Sequence, residues 1–229
     1  MDFANVSAMT DEITALFGGK MELKECDTKK YGYMRWPKLL PIMRFEVKQY
    51  AAPYFGNVFS MATAALGGKM QLATFVCTPN LGADVPLMLI DVMAMGTKHA
   101  AFIEYYDCTE LGVPAHELRK TAEQFASLED YPEKPAWYVG RRAPYSLIKG
   151  GVDGGALADM LTSSVKAYAC ECCACHSHDA NRTGLSEFIE RMVRDGNPSS
   201  GALERALGKQ GAEVFFRSIV MPATYCPAI

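Results

Sequence analysis

The stretch Val85-Pro86-Leu87-Met88-Leu89-Ile90-Asp91-Val92-Met93-Ala94-Met95 has the pattern of a strand that is apolar on both faces. Alternate side chains of a strand point to opposite sides of the sheet. Asp91 therefore shares its face with four apolar residues: Leu87, Leu89, Met93 and Met95. The opposite face carries Met88, Ile90, Val92 and Ala94.

A strand with two apolar faces is typical of the middle of a sheet that is covered on both sides. Asp91 is thus expected to point into a layer interface, where a flat hydrophobic ligand could lie.

Further strands and helices are predicted on both sides of this segment. Alternating or apolar runs predict strands at 43–47, 55–64, 70–77, 99–107, 136–140 and 144–149. Helical spacing predicts helices at 10–17, 115–129, 154–176, 183–194 and 200–218. Short connections between successive strands favour antiparallel neighbours. We therefore expect an α+β fold, a three-layer α/β/α sandwich with a central antiparallel sheet, in a single domain over residues 1–229.

Composition narrows the class of protein. The 229 residues are 49% hydrophobic and 21% charged, which is typical of a globule with a sizeable core. A net charge of -3 argues against broad nucleic-acid binding. The first residues lack a basic segment followed by an apolar run, and the longest apolar stretch, which Asp91 interrupts, is too short to span a bilayer. A cytoplasmic location is therefore expected.

A cysteine cluster, Cys170-Glu171-Cys172-Cys173-Ala174-Cys175-His176, invites a metal interpretation. On a helix, Cys172, Cys175 and His176 share one stripe and could ligate zinc. Residues 172–176 also have the spacing of covalent haem attachment, which normally requires an exported protein. We favour small residues at a helix–sheet interface with some exposed thiols, because free cysteine packs as a small hydrophobe.

Asp91 is the first candidate for chemistry. Burial without a partner raises the pKa of a carboxyl group, and an acid that keeps its proton near neutral pH can deliver it to a substrate. The alternative is a structural aspartate held by backbone donors or a cation. Arg142, with Arg141, could bind a ligand carboxylate or an acidic protein, or could belong to a plain solvated face. Glu104 is expected at a solvated sheet edge, with a partly buried acid as the alternative. Sequence motifs for nucleotide binding, for a nucleophile elbow and for the zinc-protease helix are absent from the sequence.

Three collinear stretches resemble the ferredoxin-dependent bilin reductase family. The first runs from Phe75-Val76-Cys77-Thr78-Pro79 through Asp84 to Val92, and the second is Ala143-Pro144-Tyr145-Ser146-Leu147-Ile148-Lys149. The third begins at Asn197, includes Leu203-Glu204-Arg205-Ala206-Leu207-Gly208, and continues to Phe216-Arg217-Ser218-Ile219-Val220. The related red chlorophyll catabolite reductases share the fold that this resemblance implies.

The resemblance implies a bilin bound between the sheet and the C-terminal helices, and single electrons from ferredoxin without a bound flavin or metal. The family's central aspartate falls on Asp91, and a basic residue that contacts a propionate falls on Lys149. A second aspartate aligns near Asn197, with Asp195 close by. Thr74 stands where one family member carries a histidine, and Ala62 stands near the position of its glutamate. These two departures favour a single two-electron reduction or a different tetrapyrrole.

The leading hypothesis is an oxidoreductase that reduces an open-chain tetrapyrrole such as biliverdin. Asp91 would donate a proton, assisted by Asp195 or Asn197, while Lys149, Thr74 and Arg142 would contact the substrate. Reduced ferredoxin or flavodoxin would dock on a basic patch formed by Lys24, Lys29, Lys30 and Arg35, or by Arg141 and Arg142. The alternatives are a non-catalytic tetrapyrrole-binding protein and a metal or haem redox protein built on the cysteine cluster.

Overall fold

In the computed structural model, which describes residues 5–37, 42–53, 55–109, 112–151, 153–176, 182–197 and 200–222, eight strands form one sheet. The strands are β1 (Lys24–Cys26), β2 (Tyr33–Trp36), β3 (Met43–Ala52), β4 (Gly56–Ala65), β5 (Met70–Pro79), β6 (Leu87–Met95), β7 (Lys98–Tyr106) and β8 (Leu147–Gly151). The helices are α1 (Val6–Gly18), α2 (His116–Gln124), α3 (Gly154–Ala174), α4 (Arg182–Arg194), α5 (Ser200–Leu207) and α6 (Lys209–Phe215), and a π-helical turn (Phe216–Val220) follows α6.

The sheet is an antiparallel meander. Its order is β1-β3-β4-β5-β6-β7-β8, and β2 pairs with the same strand, β3, as β1 does. Every pairing between these strands is antiparallel. The strand that carries Asp91, β6, lies between β5 and β7, so the prediction of a central strand is confirmed.

Helices cover both faces of the sheet and give two separate cores. On one face, Ile90 and Val92 of β6 pack in a core with α1 and α3, which contribute Phe17 and Tyr168. On the other face, the core around Leu89 is closed by α4, α5, α6 and the π-helical turn. The predicted three-layer α/β/α sandwich is therefore confirmed. Asp91 faces the second layer interface, the one beneath α4 to α6.

Three differences from the predicted elements remove, divide or add an element; in addition, α2 ends at Gln124 and β8 begins at Leu147, so both are shorter at that end than predicted. Residues 136–140 form no strand and instead lead into a 3₁₀ turn at Val139–Arg141. The single helix predicted over 200–218 is divided at Gly208, which has a φ of 73° and separates α5 from α6. A positive φ costs glycine little, so the chain can turn there. The short strands β1 and β2 were not predicted. Within the described ranges, none of the helices is long and apolar enough to cross a bilayer.

Candidate active site

A cavity of about 370 Å³ lies between α5 and the sheet face that carries Asp91. This volume falls within the range of small-molecule sites. Its apolar lining comes from Met43, Phe45, Met61, Met70, Leu72, Met93, Phe102, Ala202 and Leu203. Its polar lining comes from Thr63, Asp91, Glu104, Tyr131, Glu133 and Tyr138. A recess of about 20 Å³ adjoins it and also reaches Asp91, Thr74 and Asn197. An apolar cavity with a few convergent polar groups is the usual form of a ligand site.

Asp91 is a buried acid at the floor of this cavity. The residue is 9% exposed, and the Thr74 hydroxyl donates a hydrogen bond of 2.6 Å to its Oδ1. Thr74 is its cross-strand partner on β5. Burial raises the pKa of Asp91 to about 7, the negative charge of Glu104 adds to the rise, and the Thr74 hydrogen bond opposes it. The expected burial of Asp91 is therefore observed, and its carboxyl group can hold a proton near neutral pH.

Glu104 is a second buried carboxyl group that lines the same cavity. It is 2% exposed on β7, so the expectation of a solvated edge was wrong. The segment that precedes β8 lies along this part of β7, as the hydrogen bond of 2.7 Å from the Ala143 amide to the Tyr105 carbonyl shows. The Tyr106 hydroxyl donates a short hydrogen bond to Glu104. Burial raises the pKa of Glu104, while Arg142 and Tyr106 act in the opposite direction.

Arg142 belongs to the wall behind the cavity. Its Nη2 lies 2.6 Å from Oε1 of Glu104, and its two terminal nitrogens both lie 2.7 Å from oxygens of Glu133. The side chain is only 9% exposed. Both terminal nitrogens are thus already paired with carboxylates of the protein, so the geometry does not favour the predicted contact with a ligand carboxylate. Burial also removes Arg142 from the predicted docking patches.

Lys149 lies on the other face of the sheet. It is the cross-strand partner of Ala101, which belongs to the core beneath α1 and α3. Its ammonium group donates to the carbonyls of Ala126 and Leu128 at 3.0 and 2.9 Å and to Asp130 at 2.7 Å. The structure does not bring Lys149 together with Asp91. We therefore leave it out of the site and assign it to holding the segment 126–131 against β8.

The two predicted assisting residues are separated by the structure. Asp195 is exposed at the end of α4, where Arg191 and Arg194 bind it at 3.0 and 2.8 Å. The Arg194 hydrogen bond holds the pKa of Asp195 below its ordinary value, which does not suit a proton donor. Asn197 does line the recess with Asp91, and its Nδ2 donates to the Met192 carbonyl at 3.2 Å.

Thr63 is a polar group of the site that sequence reasoning missed. It is 3% exposed and lines the cavity, yet its Oγ1 has no hydrogen-bond partner among the described residues. A buried hydroxyl without a partner costs free energy, so a ligand that bonds to it would be favoured. Strand parity is the sequence signal that could have found it, because Thr63 lies two residues after Met61 on β4 and therefore shares its face.

The cysteine cluster lies away from the cavity. Cys172 is buried in the core beneath α3, where burial raises its pKa well above the ordinary value, so it is a thiol near neutral pH. Cys170 and Cys173 are exposed, and the His176 backbone amide donates to Asp84 at 2.6 Å. The described residues contain no group of three or more His, Cys, Asp or Glu that could hold a metal ion. This arrangement fits the interpretation of small residues at a helix–sheet interface.

Comparison with known proteins bears on the fold. No family model matches the chain, and no curated protein matches it. Among solved structures, the chain is similar to the crystal structure of phytochromobilin synthase from tomato in complex with biliverdin, with a TM-score of 0.68. The match has 13% sequence identity and covers 93% of this chain and 81% of that chain. The chain therefore has the fold of phytochromobilin synthase, as its resemblance to the ferredoxin-dependent bilin reductases implied.

Proposed function

We propose that the protein is an oxidoreductase that reduces an open-chain tetrapyrrole such as biliverdin, with Asp91 as a proton donor. The observation that carries the proposal is a buried carboxyl group with a pKa of about 7 at the floor of an apolar cavity. The fold supports it, because phytochromobilin synthase of the same fold was solved with biliverdin.

The cavity has the chemistry that a linear tetrapyrrole requires. Its methionine and aromatic side chains offer apolar surface to a flat conjugated ligand. The Thr63 hydroxyl can bond to a lactam or pyrrole group of such a ligand. Asn197 offers an amide beside Asp91 in the adjoining recess.

Reduction of one double bond takes two electrons and two protons. The electrons would come singly from reduced ferredoxin or flavodoxin, docked on the exposed side chains of Lys24, Lys29, Lys30 and Arg35. Asp91 would transfer one proton to the substrate and would then regain a proton from solvent. Asn197 would hydrogen-bond to the substrate or to Asp91, since an amide does not release a proton near neutral pH. The second proton would come from solvent or from the reprotonated Asp91.

An anaerobic assay tests the proposal. Purified protein is mixed with biliverdin and then with reduced ferredoxin, and the absorption spectrum is followed, with a known bilin reductase assayed in parallel. The expected result is a bound pigment spectrum that changes after the donor is added. Absence of any change while the known reductase works would remove the proposal.

A variant tests the role of Asp91 itself. Asp91→Asn is expected to retain pigment binding and to lose turnover by at least ~100-fold, because proton transfer by a positioned acid contributes roughly 10²–10⁴-fold. Asp159→Asn, an exposed change on α3, controls for the loss of one carboxylate. Full turnover by Asp91→Asn would refute the assigned role.

A non-catalytic tetrapyrrole-binding protein is the second candidate. Thr74 favours it, because this hydroxyl occupies the position beside Asp91 where the resemblance implied a histidine. Such a protein would bind biliverdin and show no reduction with any donor, so the same assay separates the two.

A further inference from the structure

We infer that Glu104 is the anion that, together with burial, keeps the proton on Asp91, which makes Glu104 a positioning residue of the site. The role in turnover rests on the proposed function. The protonation of Asp91 is a property of the protein without ligand and can be measured independently.

The two carboxyl groups lie side by side on one face of the sheet. Asp91 on β6 is the cross-strand partner of Phe102 on β7, and Glu104 follows two residues later on the same face. Diagonal neighbours of this kind are roughly 7–8 Å apart. Both residues line one cavity, and both are at least nine-tenths buried. At this separation and burial, ionisation of one carboxyl group opposes ionisation of the other.

The hydrogen-bond donors around the pair decide which group is ionised. Glu104 accepts a hydrogen bond of 2.6 Å from the guanidinium of Arg142 and another from the Tyr106 hydroxyl. Within the described part of the chain, Asp91 receives a neutral hydroxyl, that of Thr74, and no cation. A cation stabilises the charged form of its own partner, so the negative charge settles on Glu104 and the proton on Asp91.

Other titratable groups near the cavity do not reverse this assignment. The segment after α2 presents Tyr131, Tyr138 and Glu133, and the strands present the residues already named. Glu133 binds both terminal nitrogens of Arg142, and its side chain is 26% exposed, so solvent and the guanidinium screen its charge. α5 contributes only Ala202 and Leu203 to the cavity. Burial is the main cause of the raised pKa of Asp91, and the negative charge of Glu104 adds to the rise, which agrees with this geometry.

An infrared titration tests the inference on the protein without ligand. The C=O stretch of a protonated carboxyl group is followed against pH in samples labelled with ¹³C-aspartate or ¹³C-glutamate, and the Asp91→Asn variant assigns the aspartate signal. In Glu104→Gln the Asp91 titration is expected to move down by roughly one pH unit, given a separation of about 7–8 Å and partial compensation by Arg142. Glu129→Gln, an exposed loss of the same charge, is the matched control and is expected to leave the titration in place.

Each outcome decides the inference. A titration that stays within about 0.2 pH units of the wild type in Glu104→Gln overturns it. If that variant fails to fold, the labelled wild type decides. A glutamate that still carries its proton just below pH 7, while every aspartate is ionised, overturns the assignment. An aspartate that still carries its proton just below pH 7, while every glutamate is ionised, supports it.

The proposed function can fail separately. If the protein reduces no bilin and the infrared shift still appears, the inference about Glu104 and Asp91 is supported and the proposed reaction is refuted. If the protein is active, the upper pH limit of turnover is expected to fall in Glu104→Gln by the same amount as the infrared titration. An active enzyme whose upper limit does not move would overturn the inference.

Discussion

Replacing Asp91 with asparagine is expected to stabilise the folded protein above neutral pH. Burial raises the pKa of Asp91 to about 7 in the folded chain, against an ordinary value of 3.8. Below the ordinary value, the carboxyl group is protonated in both the folded and the unfolded chain. Between the two values the unfolded chain releases the proton while the folded chain keeps it, so the free energy of unfolding falls as the pH rises.

The magnitude follows from the two pKa values. They are about three pH units apart, and each unit corresponds to ~1.4 kcal/mol, so the full cost of about 4 kcal/mol is reached above pH 7. Asparagine has a similar volume, carries no ionisable group, and can still accept the Thr74 hydrogen bond. Asp91→Asn should therefore exceed the wild type by up to about 4 kcal/mol at pH 8 and by far less at pH 4.

Urea denaturation at these two pH values measures the effect, with Asp159→Asn as the control for the loss of an exposed carboxylate. A stability difference between Asp91→Asn and the wild type that is the same at both pH values would refute the reasoning. It would mean that Asp91 ionises in the folded chain as it does in the unfolded one.

Two further substitutions test the surroundings of the site. Lys149→Met removes a buried ammonium group that donates to the carbonyls of Ala126 and Leu128 and to the exposed carboxylate of Asp130. Because hydrogen bonds from a charged donor are lost, we expect a loss of about 1–3 kcal/mol in urea denaturation and pigment affinity within about twofold of the wild type. A Lys149 variant that loses pigment binding but not stability would restore its predicted substrate contact; the exposed Lys120→Met is its control. Gly184→Ala would place a Cβ 2.2 Å from the Cys108 carbonyl oxygen, so α4 must shift, at a cost of about 1–3 kcal/mol. Gly201→Ala on α5 meets nothing within 4 Å and is expected to gain roughly 0.4–1 kcal/mol; equal effects at both glycines would contradict this account.

The fold could largely be predicted because its strongest signals are local. The run 87–95 is apolar on both faces, which indicates that β6 is central, and strand parity then places Asp91 at a layer interface. The split between α5 and α6 depends on the conformation of Gly208, which helical periodicity does not report. Strands β1 and β2 have three and four residues, too few to show a period.

The site was harder to predict because its partners are distant in sequence. Glu104 is buried by Arg142, which lies 38 residues later, and no local pattern indicates that pairing. Lys149 was placed near the substrate by resemblance, but its register with Ala101 puts it on the opposite face of the sheet. The exposure of Asp195 likewise follows from its two arginine partners at the end of α4.

The Thr74–Asp91 contact also has a consequence for how the strands find each other. A two-residue slip between β5 and β6 would keep every side chain on its own face, so burial alone discriminates weakly against it. Such a slip would place Asp91 opposite Leu72 or Val76, where no hydroxyl could donate to it. The lost hydrogen bond would cost the misaligned sheet about 1–3 kcal/mol. The acid proposed for chemistry therefore also marks the correct alignment of the central strands during folding.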